Sequence, residues 1–178
     1  MTSTIPPLTS AFVNENLARE GITLPTPTAS IANYVGHAVV KGMMVIMSGQ
    51  LPMKDGTVMY KGHVGETVSL EDGYAAARLC AINILAQLNQ AIEGDWSRVR
   101  RCVRIGGFVA CGPSFTEHPK VINGASDLMV AIFGEAGRHA RAAVGVSSLP
   151  LGVAVEAALR LVQVDVVHAQ KHAQVVVH

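Results

Sequence analysis

Charge is scarce in this chain. Only 15% of its 178 residues are Asp, Glu, Lys or Arg, and the formal net charge is +1. A chain so near neutrality has no electrostatic footprint for nucleic acid, whose phosphates call for a basic face. Aromatic residues are scarcer still, at 4%, so platforms for stacking bases are few. No apolar run approaches the ~20 residues of a membrane helix. The opening Met-Thr-Ser-Thr-Ile-Pro-Pro has neither the basic nor the apolar region of a secretory signal. Three cysteines, Cys80, Cys102 and Cys111, make an odd count without metal-ligand spacing. Reduced thiols in a cytoplasmic protein are the expectation. Neither nucleic acid nor a membrane is expected as a partner.

What the chain does have is apolar bulk. Apolar residues make up 49%, enough for a sizeable core at this length. No repeat, long linker or low-complexity segment divides it, so residues 1–178 read as one domain. Small residues with little charge also suit a subunit that buries part of its surface against other copies.

Residues 11–20 can form a short helix, ended by Gly21. Two prolines, Pro25 and Pro27, then keep the chain extended. Residues 31–40 read as a strand, Lys41-Gly42 as a turn, and residues 43–47 as the returning strand. That return is apolar at every position, as when both faces are covered. Asp55-Gly56 is a strong turn pair, and residues 57–60 make a short strand. Ser69 with Asp72 fits an N-cap with an acidic third residue. The helix it opens runs to about Ile92, with Leu79, Ile82, Leu85, Leu88 and Ile92 as its apolar stripe. Gly94 ends it, and Cys80 within it reads as core.

Residues 98–110 read as a strand with Val99, Arg101, Val103, Ile105, Gly107 and Val109 on one face. Gly106-Gly107 in mid-strand marks a bulge or the close approach of another backbone. Cys102 reads as structural, whereas Cys111 opens a loop and could be exposed. A catalytic thiol there would need a base, and His118 is the only local candidate. Pro119 suits the first turn of a second helix, with Val121, Ala125, Leu128, Met129, Ile132 and Phe133 as its stripe. Gly134 and Gly137 end that helix. Past Leu161 the apolar alternation changes phase, which implies a bulge or a new strand. His168 and His172 are one helical turn apart but have no third ligand nearby, so no metal site is expected.

Residues 141–156 organise the rest. Two strand-like runs, residues 142–147 and a partner from Val153, flank the turn Leu149-Pro150-Leu151-Gly152. Side chains alternate across a strand, so Arg141, Ala143 and Gly145 share a face. Ala154, Glu156 and Ala158 share a face of the second strand. Each strand thus carries one charged group among small neighbours, which leave room for a pocket. By composition alone, Arg and Glu on a solvent face would read the same way.

This stretch resembles the signature of the Rid family (reactive intermediate deaminases, also called RidA/YjgF and "endoribonuclease L-PSP"). Arg141, Leu149-Pro150 and Val155-Glu156 fall at the family's spacing. A second acidic residue, common in the family two positions later, is replaced here by Ala158. Ser48-Gly49-Gln50-Leu51-Pro52 is similar to the end of the family's first hairpin, and Tyr34 matches a tyrosine before it. The family's usual proline before that tyrosine is Asn33 here. Asn123 is like an asparagine near the start of the family's second helix. The resemblance covers residues 30–160, leaving residues 1–29 and 161–178 as terminal extensions. The entry Gly137-Arg138-His139-Ala140 to Arg141, with the phrase Asn-Gly-Ala-Ser-Asp-Leu-Met from Asn123, resembles a longer subgroup of the family that also carries an N-terminal helix.

The resemblance implies an α+β, chorismate-mutase-like fold with a mixed sheet and two main helices on one face. It implies a homotrimer with pockets at the subunit interfaces. The activity implied is hydrolysis of a small enamine or imine acid to ammonia and a 2-keto acid, with no metal or organic cofactor. Arg141 would hold the substrate carboxylate and Glu156 would activate water. Tyr34 and Ser48 would steady the amine or the tetrahedral intermediate. Asn123, Gly49 and Ala143 would complete the binding surface. A non-catalytic carrier or sensor of small carboxylates would share the Arg pocket, although binding alone does not need Glu156. A ribonuclease, as the family's older name suggests, fits poorly with few charges, few aromatics and no catalytic histidine pair.

Overall fold

The computed structural model describes residues 5–27, 33–40 and 44–164. Helix α1 is Ser10–Arg19, and the Thr9 side chain accepts the Phe12 amide at 3.1 Å as its N-cap. Gly21 follows with φ +65°, a region open to glycine without strain. That turn lets the Ile22 amide reach the Leu17 carbonyl at 2.9 Å.

Strands β1 (His37–Val40) and β2 (Met44–Met47) pair antiparallel. The first strand is shorter than expected, since Asn33, Tyr34, Val35 and Gly36 are not in strand conformation. The expected Lys41-Gly42 turn lies outside the described residues. Asp55-Gly56 closes a hairpin of β3 (Met53–Lys54) and β4 (Thr57–Val58), a two-stranded sheet of its own.

Helix α2 is Leu70–Ala91, capped by Ser69, whose hydroxyl accepts the Asp72 amide. Leu85, Leu88 and Ile92 are buried as expected, but Leu79 and Ile82 lie at the margin. Ala77, Cys80, Ala81 and Ile84 take their place in the core. Small side chains there let neighbouring elements come close. Helix α3 (His118–Phe133) comes so near that a Cβ at Gly124 would sit 2.0 Å from the Tyr74 carbonyl oxygen.

The main sheet is mixed, in the order β1-β2-β7-β5-β6, with β5 Val99–Ala110, β6 Ala140–Val146 and β7 Val155–Val164. Strands β5 and β6 are parallel, and α3 crosses between them. The other pairs are antiparallel. The core lies between this sheet and the helices. On the other face Val144 and Ile46 are exposed, so the apolar run of β2 does not have both faces covered within one chain.

The change of phase in β7 has its counterpart in β5. Ile105 pairs with Leu159, but Arg104 pairs with Leu161, so the register slips by one residue. Slips also occur between Val99 and Arg101 and between Cys102 and Arg104, so the expected single face of β5 is broken. At Gly106-Gly107 the ladder is regular. Glycine is required there for packing instead, because a Cβ on Gly107 would lie 2.4 Å from Ile122 Cδ1 of α3. No helix among the described residues is long and apolar enough to cross a membrane. His168 and His172 lie outside the described residues.

Candidate functional site

Arg141 stands on β6 opposite Ile105, a core residue, and so leaves the sheet on its helical face. There its Nη1 donates to Asn123 Oδ1 at 2.8 Å and to Ser126 Oγ at 3.1 Å. Both partners are on α3, three residues apart and therefore on one side of the helix. Nε and Nη2 have no protein partner among the described residues, and the side chain is exposed. Those two groups form the fork that matches a carboxylate.

A further group fixes the arrangement. His139 Nδ1 lies 2.6 Å from the Gly137 carbonyl oxygen. A carbonyl only accepts, so Nδ1 carries the hydrogen and Nε2 is the acceptor. The Ser126 hydroxyl then donates to His139 Nε2 at 3.1 Å, and its oxygen is free to accept from Arg141. Burial holds His139 below the usual histidine range, helped by the Arg141 charge and opposed by the Gly137 carbonyl. The neutral ring is the form this chain of bonds needs. Sequence reasoning missed Ser126 and His139. The signal was the spacing of Asn123 and Ser126, one turn apart on the helix before Arg141.

Glu156 is on β7 opposite Phe108, between core residues Val155 and Ala157. Alternation sends its side chain to the face away from the helices. Its carboxylate occupies the space a side chain at Gly49 would take, since a Cβ there would fall 1.7 Å from Oε1. The carboxylate has no hydrogen-bond or ion-pair partner among the described residues. Burial alone raises its pKa above the ordinary carboxylate value. A carboxylate shifted upward without a cation is a stronger base toward water.

Ser48, Gly49 and Gln50 are pinned beside Glu156. Gln50 and Ala157 exchange backbone hydrogen bonds at 2.7 and 3.1 Å. The Ser48 hydroxyl donates to the Val35 carbonyl at 2.6 Å, so its lone pairs remain to accept from an amine. Tyr34 is 57% exposed and lines a cavity of about 400 Å³ together with Gly49 and Gln50.

One chain does not bring these residues together. Arg141, Asn123 and Ala143 lie at the β6 edge. Tyr34, Ser48 and Gly49 lie on the β1–β2 side, and Glu156 stands on the central strand β7 with its carboxylate against Gly49. From β2 to β6 is three strand spacings, about 14 Å, and from β7 to β6 two, about 10 Å, and Arg141 and Glu156 are on opposite faces besides. Ala143 packs against the core on the Arg141 face.

Cys111 is 9% exposed, not an open loop residue. Its Sγ does meet His118 Nε2, at 3.4 Å, in a space left by Gly145. Burial raises its pKa, which disfavours the thiolate that a nucleophile needs. That arrangement is a packed hydrogen bond rather than an activated nucleophile. Cys80 and Cys102 are fully buried, and burial pushes Cys102 up to about 12. No cluster of three metal-ligating side chains occurs among the described residues.

Comparison with known proteins agrees with this architecture. Residues 14–163 match the family described as "YjgF/chorismate_mutase-like, putative endoribonuclease". The chain is 49% identical over 148 residues to Protein TCP17 of Trypanosoma cruzi, covering 83% of this chain and 91% of that protein. It superposes on Atu1372 of Agrobacterium tumefaciens, a protein described as of unknown function, with a TM-score of 0.81. That pair shares 44% identity over 88% of this chain and 94% of the other. A "putative endoribonuclease" of Shewanella oneidensis MR-1 gives a TM-score of 0.79 and 36% identity, over 85% and 98% of the two chains. With its mixed sheet, its helices on one face and this match along most of its length, the chain belongs to the YjgF/chorismate-mutase-like family, also called Rid.

Proposed function

We propose that this protein hydrolyses a small 2-imino or enamine acid to ammonia and a 2-keto acid, in pockets completed between copies of the chain. The observation that carries the proposal is the split site. Arg141, with its free Nε–Nη2 fork, is braced at one sheet edge. Glu156, beside Gly49 and on the opposite face, stands on the central strand β7, with Ser48 and Tyr34 on the β1–β2 side. Contact of that edge with the Glu156 side of a neighbour joins the two halves. Such a head-to-tail contact closes into a ring, and three copies are the family's expected number. The exposed Val144 and Ile46 on the open face supply apolar surface for the assembly.

In this reading the substrate carboxylate sits on the Arg141 fork, which fixes the plane of the imine. Glu156 of the neighbouring copy takes a proton from water as the water oxygen bonds to the imine carbon. The resulting carbinolamine receives that proton on nitrogen. Glu156 then takes the carbinol O–H proton and delivers it to nitrogen as the C–N bond breaks, so ammonia leaves and the carbinol oxygen becomes the keto group. Ser48 accepts a hydrogen bond from the amine, since its own hydrogen is committed to Val35. Each step uses acid–base chemistry available to a carboxylate whose pKa burial has raised.

The test is release of ammonia and 2-keto acid from 2-aminoacrylate generated in situ. Turnover above the spontaneous rate supports the reading. Tight binding of small carboxylates without turnover supports a carrier or sensor instead. RNA cleavage without imine turnover would favour the older family name.

A further inference from the structure

The cavity beside Tyr34 and Gly49 has a polar floor. Gln87 of α2 is only 4% exposed. Its side-chain amide lines the cavity yet has no hydrogen-bond partner among the described residues. Its polar atoms are not among the fully buried ones, so they stand open to the cavity and available to a ligand. Gly36 makes the arrangement possible, because a Cβ there would fall 2.5 Å from Gln87 Oε1. The bare backbone at Gly36 leaves the amide at the cavity surface.

Asn83 lies four residues earlier on the same side of α2 and also lines the cavity. Its Nδ2 donates both hydrogens, to the carbonyls of Leu51 at 2.9 Å and Met53 at 3.0 Å. Oδ1 is therefore its remaining group, an acceptor. Among the described residues no Lys or Arg lines the cavity, and Asp55 adds a carboxylate. This is the reverse of the Arg141 end of the proposed site. It suits N–H donors and disfavours a second carboxylate. At about 400 Å³ the cavity is also far larger than the methylene of 2-aminoacrylate requires.

We infer that this cavity receives the side chain of the imine substrate, and that the side chain ends in a carboxamide. The substrate class is the 2-imino acids derived from amide-bearing amino acids. The inference rests on the imine-hydrolase reading above. A carboxamide answers each group on the floor. Its N–H hydrogens reach Asn83 Oδ1 and Gln87 Oε1, and its oxygen accepts from Gln87 Nε2. Tyr34 and Gly49 line the cavity, and Gly49 also abuts the Glu156 carboxylate. Gly49 lies past the end of β2 at Met47, and the proposed ligand rounds that strand end from the reacting carbon to the floor.

The experiment compares imino acids made in situ by an L-amino-acid oxidase from glutamine and from methionine, side chains of similar length. The wild-type protein is expected to favour the glutamine-derived imine in kcat/KM by ~10-fold or more, as sites with unpaired polar groups discriminate against apolar analogues. Gln87→Met should bring that ratio close to one. Gly36→Ala, whose added Cβ intrudes on the amide, should lower it as well. Equal rates for the two imines in a wild-type protein active on 2-aminoacrylate would overturn the inference and mark a merely hydrated cavity, while leaving the proposed function standing. Preference for a lysine-derived imine would overturn the carboxamide assignment. Absence of turnover on 2-aminoacrylate and on every imino acid tried would remove the hydrolase reading and this inference with it.

Discussion

Arg141 and Glu156 leave the same sheet on opposite faces, three residues apart in register along β5. A guanidinium that anchors a carboxylate and a carboxylate that activates water must share one ligand. In the proposed reaction, these two meet one ligand by coming from different copies of the chain.

The hydrogen-bond chain behind Arg141 predicts a specific kinetic signature. Ser126→Ala removes the link between Arg141 and His139 and leaves Asn123 alone to brace the guanidinium. The expected outcome is a rise in KM for imino acids of about 10-fold or more, the cost of one hydrogen bond to a charged group, with a smaller change in kcat. Ser126→Thr keeps the hydroxyl and should restore KM. A Ser126→Ala protein with wild-type KM would show that the chain of bonds does not position Arg141.

Glu156 should cost stability where it is ionised. Burial raises its pKa, so between the ordinary and the raised value the folded protein holds more protons than the unfolded chain. Stability then falls as pH rises through that window, and the penalty is complete above it. Glu156→Gln removes the penalty. Thermal melts should show a higher Tm than wild type at pH 7 and a shrinking difference toward pH ~4, the ordinary glutamate range. The same difference at both pH values would contradict a burial penalty.

Gly107 should tolerate no side chain. Gly107→Ala places a Cβ against Ile122 Cδ1, and overpacking of this kind costs roughly 1–3 kcal/mol. Adding Ile122→Val removes that methyl and should recover part of the loss. Denaturant titration of the double-mutant cycle measures the coupling. Strictly additive effects would mean that the strand–helix contact is not what excludes a side chain.

The sequence was most legible where local physics decides. Ser69, Gly21 and Asp55-Gly56 marked a helix start, a helix end and a hairpin by chemistry that acts over a few residues. The phase change after Leu161 was visible because a bulge alters alternation, and the register slip between Arg104 and Ile105 is its partner. Gly107 was noticed, but its reason was not, since Ile122 meets it only after α3 folds onto the sheet. The inner face of α2 was misjudged because Ala77 and Ala81 carry the close contacts that periodicity assigns to larger residues. At the site, Arg141, Glu156, Ser48 and Tyr34 were found through resemblance. Their separation, Arg141 on the edge strand β6 and the others on β7 and the β1–β2 side, was not legible, because strand order is a tertiary property. Gln87 was invisible for a similar reason: a glutamine on a helix reads as surface until the fold buries it.

The division of the site between copies is tested most directly by subunit mixing. Arg141→Lys should bind and orient the carboxylate poorly, because an ammonium lacks the planar fork. Glu156→Gln should keep binding but lose turnover, because an amide cannot take a proton from water. Each variant alone is expected to be nearly inactive on 2-aminoacrylate. Unfolded together and refolded in equal amounts, they should form rings in which some pockets pair an intact Arg141 with an intact Glu156 from the neighbour. Random mixing gives about one such pocket in four, so activity should return to roughly a quarter of wild type. Recovery at that level is the predicted result. Mixed assemblies that stay as inactive as either parent would contradict a site shared between copies.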